Sequence, residues 1–155
     1  MRKGINWKVL IACLGIMVLV SLLGSSFSTT GTKSDWFDSV RPSITPPNYV
    51  FPIAWTILYV LIGVSLYFAW ISAKGKQKNK IALAFLVNLV ANVLWSFLFF
   101  GMQNAFAAFI DIIIIWVSII WMIMVCWKID RKASYLLIPY FLWVSFASAL
   151  NYLSI

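Results

Sequence analysis

The sequence predicts an all-α membrane protein, a bundle of five transmembrane helices forming a single domain over residues 1–155. Composition is the first observation: 63% of the residues are hydrophobic and 10% charged, with a mean hydropathy of +0.96. A soluble domain carries about a quarter charged residues, so this chain has too few to cover a water-exposed surface. The second is a series of charge-free stretches of membrane length. The third is the placement of the basic residues, nearly all of which fall on one side of a five-span path.

A helix needs roughly 20 apolar residues to cross about 30 Å of hydrocarbon. Residues 9–32, 42–73 and 133–155 hold no charge, and residues 81–127 hold one, Asp111. As a single helix that last stretch would run about 70 Å at roughly 1.5 Å per residue, more than twice the bilayer. It must turn back, and the polar, glycine-opened Gly101-Met102-Gln103-Asn104 is the place. The spans are therefore placed near 7–27, 49–73, 81–101, 105–127 and 133–153, with a lid loop over 28–48. A closed β-barrel also crosses membranes, but its strands alternate apolar and polar over about ten residues. Ile112-Ile113-Ile114-Ile115-Trp116-Val117 does not alternate. Pro52 suits the first turn of span two. Pro139 lies inside span five, where Tyr135 loses the helical partner of its carbonyl and a kink is expected.

Five spans put the N-terminus and the loops around 74–80 and 128–132 on one side. That side carries Arg2, Lys3, Lys8, Lys74, Lys76, Lys78, Lys80, Lys128, Arg131 and Lys132, and the other only Lys33 and Arg41. Basic loops stay in the cytoplasm, so the N-terminus is expected inside and the C-terminus outside. The formal charge of +8 is thereby explained with no nucleic acid as partner; the lysines of 74–80 instead meet the anionic headgroups of the lipid bilayer. Arg2-Lys3, an apolar run and Gly24-Ser25-Ser26-Phe27-Ser28 also outline a secretory signal. The run is long for one, and its loss would leave four spans.

Cys13 and Cys126 lie in or at the end of apolar spans with no CxxC and read as small buried hydrophobes. There is no histidine, which removes the commonest haem and zinc ligand. No glycine-rich phosphate loop and no Ser/His/Asp set occurs. No metal site and no required cofactor are expected, and nothing suggests nucleotide-driven transport or hydrolysis.

The connection between spans one and two is long for so small a chain, and a long loop without regular structure is usually functional or disordered. Trp36-Phe37 gives this one an apolar handle, and Pro42, Pro46 and Pro47 stiffen it. It reads either as a lid over the bundle mouth or as an interfacial aromatic belt.

Helical spacing indicates which side chains share a face. Trp55 and Tyr59 do so in span two. Asn88, Asn92, Trp95 and Phe99 form one stripe in span three, and Tyr140, Trp143, Ala147 and Asn151 another in span five. Together they would wall a pocket with flat apolar sides and a few hydrogen-bonding groups, the composition of a small-molecule site and one suited to a planar macrocycle with polar edges. The competing reading of Asn88 and Asn92 is interhelical glue, which contributes about 0.6 kcal/mol on average in membranes. Trp116, Trp121 and Trp127 lack such company and read as lipid-facing or belt residues. Asp111 is the one ionisable group deep in span four. A carboxylate at the membrane centre costs roughly 2.5–3.5 kcal/mol on insertion scales, so it reads as functional, with a reach to the 101–105 turn as the alternative.

Trp36, Arg41-Pro42-Ser43, Pro46-Pro47, Phe51-Pro52, Trp55 and Leu58-Tyr59 resemble the signature of the translocator protein family, also called tryptophan-rich sensory proteins or the peripheral benzodiazepine receptor family. The resemblance continues in Asn92 with Trp95, Phe99-Phe100-Gly101, Asp111, Pro139-Tyr140, Trp143, Phe146-Ala147 and Leu150-Asn151-Tyr152. It implies a five-helix bundle, paired as a homodimer, that binds porphyrins such as protoporphyrin and synthetic benzodiazepine-site ligands. It also sets Asp111 beside the ligand. The ligand-binding set is then Trp36, Arg41, Pro47, Phe51, Trp55, Tyr59, Asn88, Asn92, Trp95, Phe99, Asp111, Tyr140, Trp143, Ala147 and Leu150. Arg41 would pair with a propionate, and the indoles and Tyr59 would stack on or edge the ring. Animal members bind cholesterol through a tyrosine followed by a basic residue; here no Lys or Arg follows Tyr152, and that recognition is not expected. Animal members sit in the outer mitochondrial membrane, whereas the charge bias here suits a bacterial plasma membrane. The expected function is a porphyrin receptor or carrier. The alternative is light-dependent oxidative breakdown of the bound porphyrin, with Trp55 and Trp143 as redox partners.

Overall fold

The computed structural model describes residues 4–155; Arg2 and Lys3, which enter the charge count, lie outside the described residues. The elements are α1 (Trp7–Gly31), α2 (Asp35–Val40), α3 (Val50–Ser72), α4 (Lys76–Ser96) running on through a π-helical turn (Phe97–Gly101), α5 (Ala105–Trp127), α6 (Arg131–Leu136) and α7 (Ile138–Tyr152). Five stretches are long and apolar enough to cross a membrane, α4 with its π turn counting as one and α6–α7 as another. There is no strand among the described residues. The protein is an integral membrane protein of the all-α class.

Three local features differ from the expectation, each for a readable reason. Helix α1 runs on to Gly31 rather than ending near residue 27, because its serines and threonines bond to their own helix, as Thr29 Oγ1 does to the Ser25 carbonyl at 2.7 Å. The lid loop carries a helix: Ser34 Oγ accepts from the Phe37 N–H at 3.2 Å, and Asp35 and Asp38 sit in the first turn of α2, where the helix dipole favours acids. Helix α4 starts at Lys76, earlier than residue 81, because Gly75 at φ +49° turns the chain immediately before it. The break at Leu137 between α6 and α7 falls where Pro139 withholds an N–H.

The spans form a closed ring in which α1 lies between α3 and α4, α4 beside α5, and α5 beside both α6 and α7. Helix α3 meets α6 closely and α7 little, so the ring is tight at one end and loose at the other. Lipid tails are as apolar as leucine, so close packing and polar contacts drive such helices together. Gly31 permits one close approach: a Cβ there would lie 2.5 Å from Phe100 Cβ. At the tight end Ser65 Oγ donates to the Ala133 carbonyl at 2.8 Å, and Ser134 Oγ to that of Ile123 at 3.0 Å. At the loose end Trp95 Nε1 donates to Asn151 Oδ1, and Asn151 Nδ2 to the Ala105 carbonyl, both at 2.9 Å. Side chains such as Leu19, Leu86 and Val117 face outward, as a lipid-facing surface requires. Both cysteines are buried and unpaired.

Candidate functional site

The loose end encloses a cavity of about 410 Å³, within the range of small-molecule sites. Helix α3 supplies Phe51, Trp55 and Tyr59; α4 and its π turn supply Asn92, Trp95, Phe99 and Phe100. Helix α7 supplies Trp143, Ala147 and Leu150, and Phe37 of α2 closes the loop side. The aromatic walls brace one another. Trp95 stacks on Phe99 at 5.0 Å and 14°, Trp55 lies 5.4 Å from Tyr59, and Phe51 meets Trp143 edge-on at 6.0 Å. The indole N–H of Trp143 is buried and finds no partner among the described residues. Trp143 also borders an apolar cleft on the outside of the bundle, lined by Leu58 and Leu142 among others, where α3 and α7 stand apart.

Of the residues predicted from sequence, Phe51, Trp55, Tyr59, Asn92, Trp95, Phe99, Trp143, Ala147 and Leu150 line this cavity; Trp36, Arg41, Pro47, Asn88, Asp111 and Tyr140 do not. Trp36 sits behind the wall, edge-on to Phe99 at 5.2 Å. Arg41, the residue just after α2, is engaged with that helix, its Nη1 3.9 Å from Asp38 Oδ1 and its guanidinium over the Phe37 ring. Pro42, Thr45 and Asn48 take the lining position in place of Pro47. Asp111 is 4% exposed, and its Oδ2 has no partner among the described residues; Ile112 and Ile115 take the cavity side of α5.

Asn88 and Tyr140 are fully buried in a network under the cavity floor. Asn88 Nδ2 donates to Ser118 Oγ at 2.8 Å, and Tyr140 Oη–H donates to Asn88 Oδ1 at 3.0 Å. Ser118 Oγ–H donates to the Ile115 carbonyl at 2.7 Å, and Asn92 Nδ2 donates to Tyr140 Oη. The expectation that Asn88 bonds a ligand is therefore corrected: its polar groups are committed between helices. Trp116 is corrected as well. Rather than facing lipid freely, it is half-buried, its Nε1 donating to Ser145 Oγ at 2.9 Å.

The sequence reading missed one wall. Ser21, Gly24, Ser25, Ser28, Thr29 and Thr32 of α1 line the cavity at intervals of three and four, one small polar face. That periodicity was visible in the run that also outlines a signal cleavage site. Lys33 follows at the mouth and is the one charged side chain among the lining residues. No cluster of His, Cys, Asp or Glu that could hold a metal occurs among the described residues. The arrangement can hold a flat apolar molecule between indoles, with polar groups on α1 opposite them.

Comparison with known proteins agrees with this architecture. The chain is 37% identical over 145 residues to the tryptophan-rich protein TspO of Chlorobaculum tepidum, covering 90% of this chain and 89% of that one. It is 40% identical over 148 residues to the tryptophan-rich protein TspO of Archaeoglobus fulgidus, covering 95% of each. It is 29% identical to the translocator protein of Bos taurus over 92% of this chain and 87% of that one. A family model, described as TspO/MBR, matches residues 9–154, and the chain belongs to that family.

Proposed function

We propose that the protein is a membrane receptor or carrier that binds porphyrin-type tetrapyrroles, and benzodiazepine-site-type ligands, in the cavity beneath the loop over residues 32–49. The observation that carries this reading is the indole-walled cavity, lined by Trp55, Trp95 and Trp143 together with the hydroxyl-bearing face of α1. A flat π-system stacks on such walls. The test is a titration of the purified protein with protoporphyrin, read by quenching of tryptophan fluorescence. Trp143→Phe keeps an aromatic side chain but shortens the indole wall, and is expected to weaken binding about tenfold, a loss of about 1.4 kcal/mol. Trp116→Phe, on α5 and outside the cavity lining, is expected to leave affinity unchanged. Equal losses in the two variants would remove the cavity from the argument.

A second reading has its own observation: Trp55, Trp95 and Trp143 all line the cavity, so oxidisable indoles would surround a photosensitising ligand. It predicts loss of porphyrin absorbance under illumination and none in the dark. Stable absorbance in the light leaves binding alone.

A further inference from the structure

We propose that Lys33 anchors a ligand carboxylate at the cavity mouth, so that the site selects planar acids and seats them with the acidic edge toward the loop. This deepens the tetrapyrrole reading and rests on it. Three observations carry it. Lys33 is the one cation lining the cavity, and no Asp or Glu lines it. Among the described residues the one salt bridge joins Arg41 to Asp38, which engages the other basic residue of that loop and leaves Lys33 unpaired. Asp35, two residues away, stands at the first turn of α2, and its carboxylate makes no ion pair with Lys33.

The third observation is what lies deeper. From Lys33 down α1 to Ser21 the cavity descends twelve residues, about 18 Å at roughly 1.5 Å per residue, past neutral groups only. Four of the five α1 hydroxyls there already donate their protons to carbonyls of their own helix: Ser25 to Leu22, Ser28 and Thr29 to Ser25, and Thr32 to Ser28. They therefore present acceptor lone pairs to the cavity, which repel a carboxylate. An acid carried to the floor would be stripped of water without a cation, a cost that stacking does not offset. With the acid at the mouth, it stays hydrated and meets an ammonium whose alkyl stem can lie along the apolar rim. Of the two orientations, only the outward one avoids an unpaired buried charge.

The experiment compares protoporphyrin with its dimethyl ester, which has the same ring and no carboxylate. Both are titrated against the parent, Lys33→Met and Lys33→Arg in phosphatidylcholine nanodiscs. The quantity read is the acid-to-ester affinity ratio, which cancels differences in lipid partitioning between variants. The ratio is expected to fall about three- to fivefold in Lys33→Met, as for an exposed ion pair, and to stay at the parent value in Lys33→Arg. Added salt is expected to shrink the parent's preference. The same shift is expected in discs containing phosphatidylglycerol. A ratio unchanged in Lys33→Met overturns the proposal, as does a shift abolished by the anionic lipid, which would assign Lys33 to headgroup phosphate. Failure of both acid and ester to bind the parent overturns it together with the tetrapyrrole reading.

Discussion

Asn88 and Asn92 stand one helical turn apart, and helical spacing treats them alike; their partners do not. Asn88 is held between Ser118 and Tyr140 with no exposure, whereas Asn92 reaches the cavity wall. Asn88→Ala would leave the fully buried Tyr140 Oη–H without its acceptor, an orphaned group costing about 1–3 kcal/mol. The membrane average of about 0.6 kcal/mol for such bonds reflects unfolded states that find new partners, and a closed network offers fewer. A loss of about 1–2 kcal/mol is expected, read as a lowered melting temperature in detergent, with ligand affinity of the folded protein within about twofold of the parent. Asn92→Ala is expected to lower both stability and affinity. Matching affinity losses in the two variants would contradict this division. The sequence makes Trp55, Trp95, Trp143 and Ala147 legible as one cavity because periodicity reports which residues share a face. It does not report which neighbouring helix supplies Ser118, or that Arg41 turns to Asp38, because those facts belong to tertiary packing.

At the level of elements, the end of α1 is set by its meeting with the π turn of α4. Gly31 has no space for a side chain: a Cβ would lie 2.5 Å from both Cβ and Cδ1 of Phe100. Gly31→Leu must push α1 or Phe100 aside, and Phe100 is braced by Trp95 and Phe99. Overpacking of this kind costs about 1–3 kcal/mol. Because Phe100 and Thr32 both line the cavity, reduced ligand affinity is expected alongside the lower melting temperature. Gly15→Leu is the control, since a Cβ at Gly15 meets nothing within 4 Å; it should change neither. If both variants melt alike, the close approach is not what positions α1. Span existence was legible because length and charge decide it, while the π turn was not. Its Met102 N–H to Phe97 carbonyl bond at 2.8 Å skips one residue more than an α-helix does, and Phe97-Leu98-Phe99-Phe100-Gly101 carries no signal for that. Helix α2 is an intermediate case. Its cap Ser34 and its early acids Asp35 and Asp38 are a readable start signal, followed closely by prolines that favour extended backbone.

The whole molecule has two ends fixed by its own contacts, before any membrane is considered. At one end the Asn6 N–H donates to Tyr67 Oη at 3.1 Å and Ser72 Oγ to Asp130 Oδ2 at 3.2 Å, joining the start of α1, the end of α3 and the α5–α6 connection. At the other end Trp95, Ala105 and Asn151 are tied together under the loop over 32–49. Contacts alone do not say which end lies in the cytoplasm, and the basic residues supply the expectation. The first end carries Lys8, Lys74, Lys76, Lys78, Lys80, Lys128, Arg131 and Lys132, and even without Arg2 and Lys3 these outnumber Lys33 and Arg41 at the other. Two of them lie over aromatic rings, Lys78 over Trp70 at 5.3 Å and Arg131 over Trp127 at 5.1 Å. That pairing of basic head and amphipathic ring suits a membrane–water interface. We therefore expect this end inside and the cavity mouth outside, so that ligand enters from the outer face. Alkaline phosphatase fused at residue 77 should be inactive, and a cytoplasm-dependent fluorescent reporter there should fold. The same two reporters at residue 155 should give the opposite pair. Active phosphatase at residue 77 would turn the cavity mouth, and Lys33 with it, toward the cytoplasm.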